Sequence, residues 1–368
     1  MRYLKHIMVF SMIFALIFCG GEKSEYPVTI ETMDGVKIVS NPDFPRDGTI
    51  KYNLEEELSI GGDVDDEDYI FHRPFDVKVA ADGKIFVLDW GDSTFKIYDN
   101  EGKYIRTICG RGQGPGEFQM LVNFSVGSDG NIYVMDSMNH RVAVLDELGE
   151  YIAGFRIEEG LSTDIGTDEN NFIYFGIQFQ DDEIQRLRIL RYNSEGEEII
   201  DYGLFQLVQP VITKIGQGSV TSSMSRHAAT TIWKVDKEGE LYAGYGDKYQ
   251  ISVYDPDGNL YFKFGREYTP VENKYAGKPG QPKYVGVFNT INRRWLFDEG
   301  NNIWIEVFIE DDPEEIVYDV FSPEGIYLRQ IRVKHRINQL WGGKAYSLVR
   351  DDEGFVSVKR FRLVEVSE

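Results

Sequence analysis

The stretch from Phe71 to Ile105 lies without gaps over the stretch from Phe118 to Ile152, 47 residues further along. Phe71 falls on Phe118, Asp82-Gly83 on Asp129-Gly130, Asp89 on Asp136 and Gly102 on Gly149. A repeat of this kind constrains the architecture before any local reading, because each copy is one supersecondary unit that buries its apolar face only against a neighbouring copy. Each copy reads as strand, tight Asp-Gly turn, apolar strand ending in Asp, loop, alternating strand, Gly turn and a last strand.

Weaker copies continue to the C-terminus. The first turn recurs at Asp168-Glu169-Asn170-Asn171, Lys237-Glu238-Gly239-Glu240, Asp298-Glu299-Gly300-Asn301 and Asp352-Glu353-Gly354; the second recurs at Asn193-Ser194-Glu195-Gly196, Asp255-Pro256-Asp257-Gly258 and Ser322-Pro323-Glu324-Gly325. Six first turns and five second turns leave the last copy short of an outer strand. Tyr52 to Gly62 precedes the first full copy as Tyr104 to Gly112 precedes the second, so an N-terminal strand is free to supply it. The expectation is an all-β protein, a six-bladed β-propeller of four-stranded antiparallel blades with about 52 residues per blade. A strand around Leu54 to Ile60, paired with one around Phe361 to Val366, completes the C-terminal blade and removes the open edge of the ring.

The segments Gly110 to Phe118 (GRGQGPGEF) and Gly130 to Ile152 (GNIYVMDSMNHRVAVLDELGEYI) closely resemble an NHL repeat and the bacterial six-bladed propeller lipoproteins built from it. Asn139-His140-Arg141-Val142 is the most specific part, and blade one departs from it with Asp92-Ser93-Thr94-Phe95. The resemblance implies the fold and leaves function open, since propellers host hydrolases, lyases, sensors and scaffolds alike.

Arg2 and Lys5 precede an apolar run from Ile7 to Phe18, which reads as a secretory signal and is shorter than a membrane-spanning helix requires. With Leu16 three residues before Cys19 and Gly20-Gly21-Glu22-Lys23-Ser24 after it, the segment resembles a bacterial lipoprotein signal, although Phe18 stands where a small residue is usual. The expected organisation is a signal peptide over 1–18, a lipidated N-terminus and lead-in over 19–51 with Cys19 acylated, and the propeller over 52–368. The expected location is a bacterial cell envelope, on the periplasmic or outer-membrane face. Two acyl chains suffice to anchor a protein, so the membrane would be met through the lipid alone. Cys109 is then the one remaining thiol, which excludes an internal disulfide.

Lys and Arg number 39 against 61 Asp and Glu, for a net charge of -22. Such a surface repels phosphate backbones and argues against nucleic acid as a partner. With 42% hydrophobic and 14% aromatic residues the chain is no disordered polyanion. The Gly110, Gly112, Gly114, Gly116 string lacks the Lys-Ser/Thr and the helix of a phosphate loop and reads as a turn between blades. Asn139-His140-Arg141 reads as structural, with Asn139 in a left-handed turn and Arg141 paired with Asp136, while Asp89 and Asp136 cap backbone amides. Acidic clusters at 63–68, 181–183, 311–315 and 351–353 lack the spaced ligands of a calcium loop and read as solvated turns. No metal or other cofactor is predicted, calcium being the ion such turns would suit.

In a propeller the first and second turns emerge on one face, and the opposite face receives the blade-to-blade connections and the second-to-third loops. The longest of these are read at Gln206 to Arg226, Arg266 to Gly286, Phe175 to Gln185 and Val307 to Glu315. Recognition usually resides on such loops above a rigid scaffold. His72, Arg73, Trp90, Arg226, His227, Tyr245, Arg293, Arg294 and Trp341 project to that face as candidate ligand-binding residues, Arg and His beside aromatic rings being common binding chemistry. The expected function is a membrane-tethered binding or scaffold module for an extracytoplasmic protein, peptide or glycan, with no catalytic residue assigned. The alternative is a metal-dependent, lactonase-like hydrolase or lyase with an axial site. For it, the inner-strand positions carry Arg73, Asn123, Asp164, His227 and Asn289, a mixture that matches no such ligand set.

Overall fold

Each second-turn glycine presses on the outer strand of the preceding blade, and this contact sets the blades side by side. A Cβ on Gly149 would lie 2.6 Å from Ile108, on Gly196 2.8 Å from Phe155, on Gly258 2.9 Å from Ile200 and on Gly325 2.5 Å from Phe262. Gly102, at φ +80°, makes the same contact with Leu58 (2.7 Å) and Ile60 (3.1 Å), which identifies the N-terminal strand as the outer strand of the blade before it.

The computed structural model describes residues 26–366 apart from 63–64, 158–159, 182–183, 208–210, 216–218, 224, 226, 279–280, 289–294 and 310–313. From inner to outer strand, blade one is Pro74–Val79, Ile85–Asp89, Thr94–Tyr98 and Tyr104–Cys109; blade two is Leu121–Val126, Ile132–Asp136, Arg141–Leu145 and Tyr151–Arg156. Blade three is Leu161–Thr167, Ile173–Asp181, Ile184–Tyr192 and Glu198–Gln206; blade four is Thr231–Val235, Leu241–Tyr245, Gln250–Tyr254 and Leu260–Arg266. Blade five is Trp295–Phe297, Ile303–Val307, Ile316–Phe321 and Tyr327–Val333. Blade six is Gln339–Trp341, Lys344–Arg350 and Val356–Glu365, with Thr49–Gly61 outermost. The protein is a six-bladed β-propeller closed as the repeat arithmetic predicts.

The closing strand runs antiparallel to the last one from Ser357 opposite Gly61 to Glu365 opposite Tyr52. Ile60, Tyr346 and Val358 then share an apolar cluster with Val77, Val79, Ile85, Val87 and Tyr98, so the junction of blades six and one is packed like the others. The blade one and two junction follows the same pattern, with Phe86, Leu88 and Phe95 against Phe118, Phe124 and Val134. Removing these faces from water drives ring formation.

Three local readings are corrected. The turn at Asp351 to Gly354 joins the second and third strands of blade six, because its inner strand has only three residues and turns at Gly342-Gly343, both at positive φ. Phe175 to Gln185 falls within two paired nine-residue strands, Ile173–Asp181 and Ile184–Tyr192, rather than in an irregular loop. The left-handed residue of the Asn139-His140-Arg141 run is His140 (φ 48°), matched in blade one by Ser93 (φ 57°).

Part of the lead-in segment also belongs to the fold. Thr29–Met33 and Val36–Asn41 form a hairpin whose second strand pairs in parallel with Leu260–Arg266, and Thr49 to Lys51 pair in parallel with Gln330 to Arg332. The chain therefore straps the rims of blades four and five before closing blade six. Among the described residues no helix is long and apolar enough to cross a membrane.

Candidate functional site

The face of the short turns holds Gly83, and the Trp341 ring lies against it, 3.3 Å from where a Cβ would stand. Trp341 ends the inner strand of blade six and so points away from the irregular face, which corrects its assignment there. Arg226, Arg293 and Arg294 lie outside the described residues, as do Asn289 and Cys19. The remaining candidates form two groups, on blades one and four.

In blade one, Asp89 organises the entry to the inner strand. Its carboxylate accepts the backbone amides of His72 (2.7 Å), Arg73 (2.8 Å) and Gly91 (2.9 Å). Asp136 does the same for Gln119 and Met120 in blade two, so both aspartates cap amides as expected. His72 Nδ1 is 2.5 Å from Asp92. His72, Asp89 and Asp92 offer ligand atoms within 4.8 Å of one another, but Asp89 is already committed to three amides, which makes the group a braced loop before it is a metal site. Trp90 stacks on Phe75 with ring centroids 3.9 Å apart and planes 5° from parallel, and the Arg73 guanidinium lies 5.5 Å from the indole. Phe75 is 40% exposed. It is the extra residue of a bulge, where Pro74 pairs with Asp89 and Asp76 with Leu88, and the bulge turns it out of the ladder. Nothing in the sequence pattern distinguishes Phe75 from a core phenylalanine.

The same bulge occurs before Asn123 and before Asp164. Asp76 accepts Asn338 Nδ2 at 3.0 Å, and Asn123 Nδ2 donates to Asp164. Each of these inner-strand carboxylates is thus met by an asparagine of an adjacent blade.

Around blade four, three segments meet main chain to main chain. Gly286 N donates to the His227 carbonyl and Val287 N to Gly246, both at 2.8 Å, and Gly246 N donates to Thr230 at 3.2 Å. They enclose a cavity of about 450 Å3 lined by Tyr245, Asp247, Tyr268, Pro282, Lys283 and Tyr284 among others. Burial, with Asp247 adding to it, pushes the Tyr245 phenol up, so it stays a neutral hydroxyl donor. Tyr284 is 46% exposed and Lys283 Nζ lies 4.9 Å from its ring centre. His227 is 4% exposed, with its ring against Tyr275 (5.4 Å) and Phe308 (6.1 Å). It packs beneath the cavity rather than lining it, a correction to its expected role. Tyr284, Tyr268 and Lys283 escape sequence reasoning because their connection carries no repeat signature.

A family model described as a 6-bladed beta-propeller, DUF5128, matches residues 66–231. Among solved structures, a Bacteroides fragilis protein described as exported is similar at 11% identity, over 89% of this chain and 99% of that one, with a TM-score of 0.54. A DUF4221 family member from Bacteroides vulgatus is similar at 11% identity over 86% and 99% of the two chains, with a TM-score of 0.49. A catalytically inactive virginiamycin B lyase from Staphylococcus aureus with quinupristin is similar at 12% identity over 85% and 100%, with a TM-score of 0.45. At 11% identity the likeness to the first of these speaks for the fold alone. No curated protein sequence matches the chain.

Proposed function

We propose that the protein is an exported, lipid-anchored binding module that takes its ligand on the irregular face of the propeller, at blade four. The observation that carries this reading is the cavity between Leu207, Ala228 and Ala229 on one side and Tyr268, Pro270 and the 282–287 stretch on the other, with ring faces, a phenol hydroxyl and an ammonium around a largely apolar hollow. Such a mixture of apolar wall and few polar groups is how small-ligand sites are built. The braced ledge of Phe75, Trp90 and Arg73 supplies a second aromatic surface on the same face. Export and anchoring rest on the charged start, the apolar run and Cys19.

Two measurements test the reading. An acyl-chain probe is expected to label the native protein and not Cys19→Ala. A pull-down from bacterial envelope with the purified propeller is expected to retain a ligand that Tyr245→Ala and Tyr284→Ala release; retention unchanged in both variants would reject the blade-four site. Turnover of an ester or lactone lost in the same variants would move the protein to the enzyme class.

A further inference from the structure

The blade-four cavity adjoins a second one. A hollow of about 570 Å3 lies between the second-to-third loop of blade four, the end of its outer strand and the N-terminal hairpin, and it shares Asp247, Tyr268 and Pro270 with the first. Side by side across this shared wall, the two hollows make up a groove from the connections over the blade's inner strand to the hairpin on its outer strand.

Arg266 lines the outer part. Its side chain is 10% exposed, its Nε donates to Asp319 at 2.7 Å and its Nη1 to the Glu267 carbonyl at 2.9 Å. The guanidinium is sandwiched among rings, 4.5 Å from the centre of Tyr249 and 5.5 Å from that of Tyr268. Asp319 already accepts Tyr249, Tyr327 and Gln330 as well, so its charge is spent inside the protein. Arg266 Nη2 has no acceptor among the described residues. A guanidinium held this rigidly and largely desolvated favours a charged acceptor over a neutral one.

The rest of the groove indicates what carries that acceptor. Its main-chain amides are used internally: Glu267 N on Asn41, Val285 N on Val271, Gly286 N on His227 and Val287 N on Gly246. Of the open edge strand Thr29–Met33 only Thr29 lines the groove, too little ladder for an extended peptide to add a strand. What the groove offers instead is flat phenol rings, two ammoniums (Lys248 and Lys283) and two carboxylates (Asp247 and Glu267) able to accept hydroxyl protons. Resting on the blade-four reading above, we propose that the groove binds an acidic oligosaccharide, with a sugar carboxylate on Arg266 in the outer part and sugar rings against Tyr268 and Tyr284 along the inner part.

The test is calorimetric titration of the full chain with trigalacturonate and, in parallel, with neutral galactotriose. The acidic trimer is expected to bind about tenfold more tightly or better, as a charge-assisted bond to Arg266 requires. Ser40→Trp, which fills the outer part and leaves the Arg266–Asp319 pair intact, is expected to abolish the preference, and Arg266→Lys to reduce it. Tyr284→Ala is expected to weaken both sugars together. Equal affinities, a preference untouched by Ser40→Trp, or binding of neither sugar would overturn the inference. Only indifference of every ligand to Tyr245→Ala and Tyr284→Ala would also overturn the binding site on which it rests.

Discussion

Asn41 Nδ2 donates to the carbonyl of Gly325 at 2.8 Å, across a sequence separation of 284. The same amide donates to Gly265 at 2.8 Å, and its oxygen accepts the Tyr327 amide at 2.9 Å, all at a site 2% exposed. One side chain thus ties the N-terminal hairpin to the outer strand of blade four and to a turn of blade five. Asn41→Ala strands two carbonyls and one amide in the interior and is expected to cost about 3 kcal/mol, leaving buried polar groups unpaired being dearer than losing a bond in water. Urea unfolding measures it. Asn41→Asp is expected to destabilise too, because a carboxylate cannot donate to both carbonyls.

The closing strand makes a second prediction. Removing residues through 62 uncovers the ladder of Val356–Glu365 and the apolar faces of Ile60's partners, Val77, Val79 and Tyr346. An exposed, long edge strand pairs with whatever offers itself, so the truncated chain is expected to lose its cooperative melt and to aggregate. Light scattering and calorimetry check both. A milder probe is Gly102→Ala, which combines a left-handed backbone with a contact of 2.7 Å to Leu58 and is expected to lower stability by about 1–3 kcal/mol.

Asp236 provides a pH signature. It is buried at the first turn of blade four, where desolvation raises its carboxyl to about 6 although Asn301 Nδ2 donates to it at 2.9 Å. Above the unfolded value near 3.9, the folded state holds this proton and the unfolded state does not, so stability falls as pH rises from about 4 to about 6 and stays lower beyond. The whole effect is about 3 kcal/mol. Denaturation midpoints taken from pH 4 to pH 8 should show this slope in the native protein, and Asp236→Asn should remove it.

The ring, its blade count and its closure are legible in the sequence because they depend on features that recur: an Asp-Gly turn, a buried second strand and a glycine against the preceding blade. The strap of residues 29–51 carries a hairpin signal of its own, Asp34-Gly35 at positive φ, but it falls outside the repeat, and its parallel docking on Leu260–Arg266 imposes no turn motif and little alternation on a hairpin whose first strand is wholly exposed. At the site, His72 and Arg73 follow from their position near the start of an inner strand and Trp90 from its place in a second-to-third loop. Phe75 is invisible because a one-residue bulge, which no residue type announces, decides whether it faces core or solvent. Trp341 is misplaced for the converse reason: a Gly-Gly turn replaces the Asp turn, and the whole last blade is read one strand late.

That displacement supplies a control for the binding face. Trp341 packs on Gly83 among the short turns, whereas Phe75 and Tyr284 stand on the irregular face with 40% and 46% of their surfaces open. Trp341→Ala removes ring contacts at the junction of blades six and one and is expected to lower stability by about 2 kcal/mol, as loss of a large, partly buried side chain does, while ligand affinity stays as it was. Tyr284→Ala has little interior to disturb and is expected to leave the melting temperature within a degree or two while costing about 2 kcal/mol of binding if the ring is an anchor. Phe75→Ala undoes the stack that holds Trp90 and is expected to reduce affinity only for ligands long enough to reach blade one from blade four. Paired melting and titration of the three variants separates the faces: stability loss alone for Trp341, binding loss alone for Tyr284. Binding loss in Trp341→Ala equal to that in Tyr284→Ala would place the ligand elsewhere.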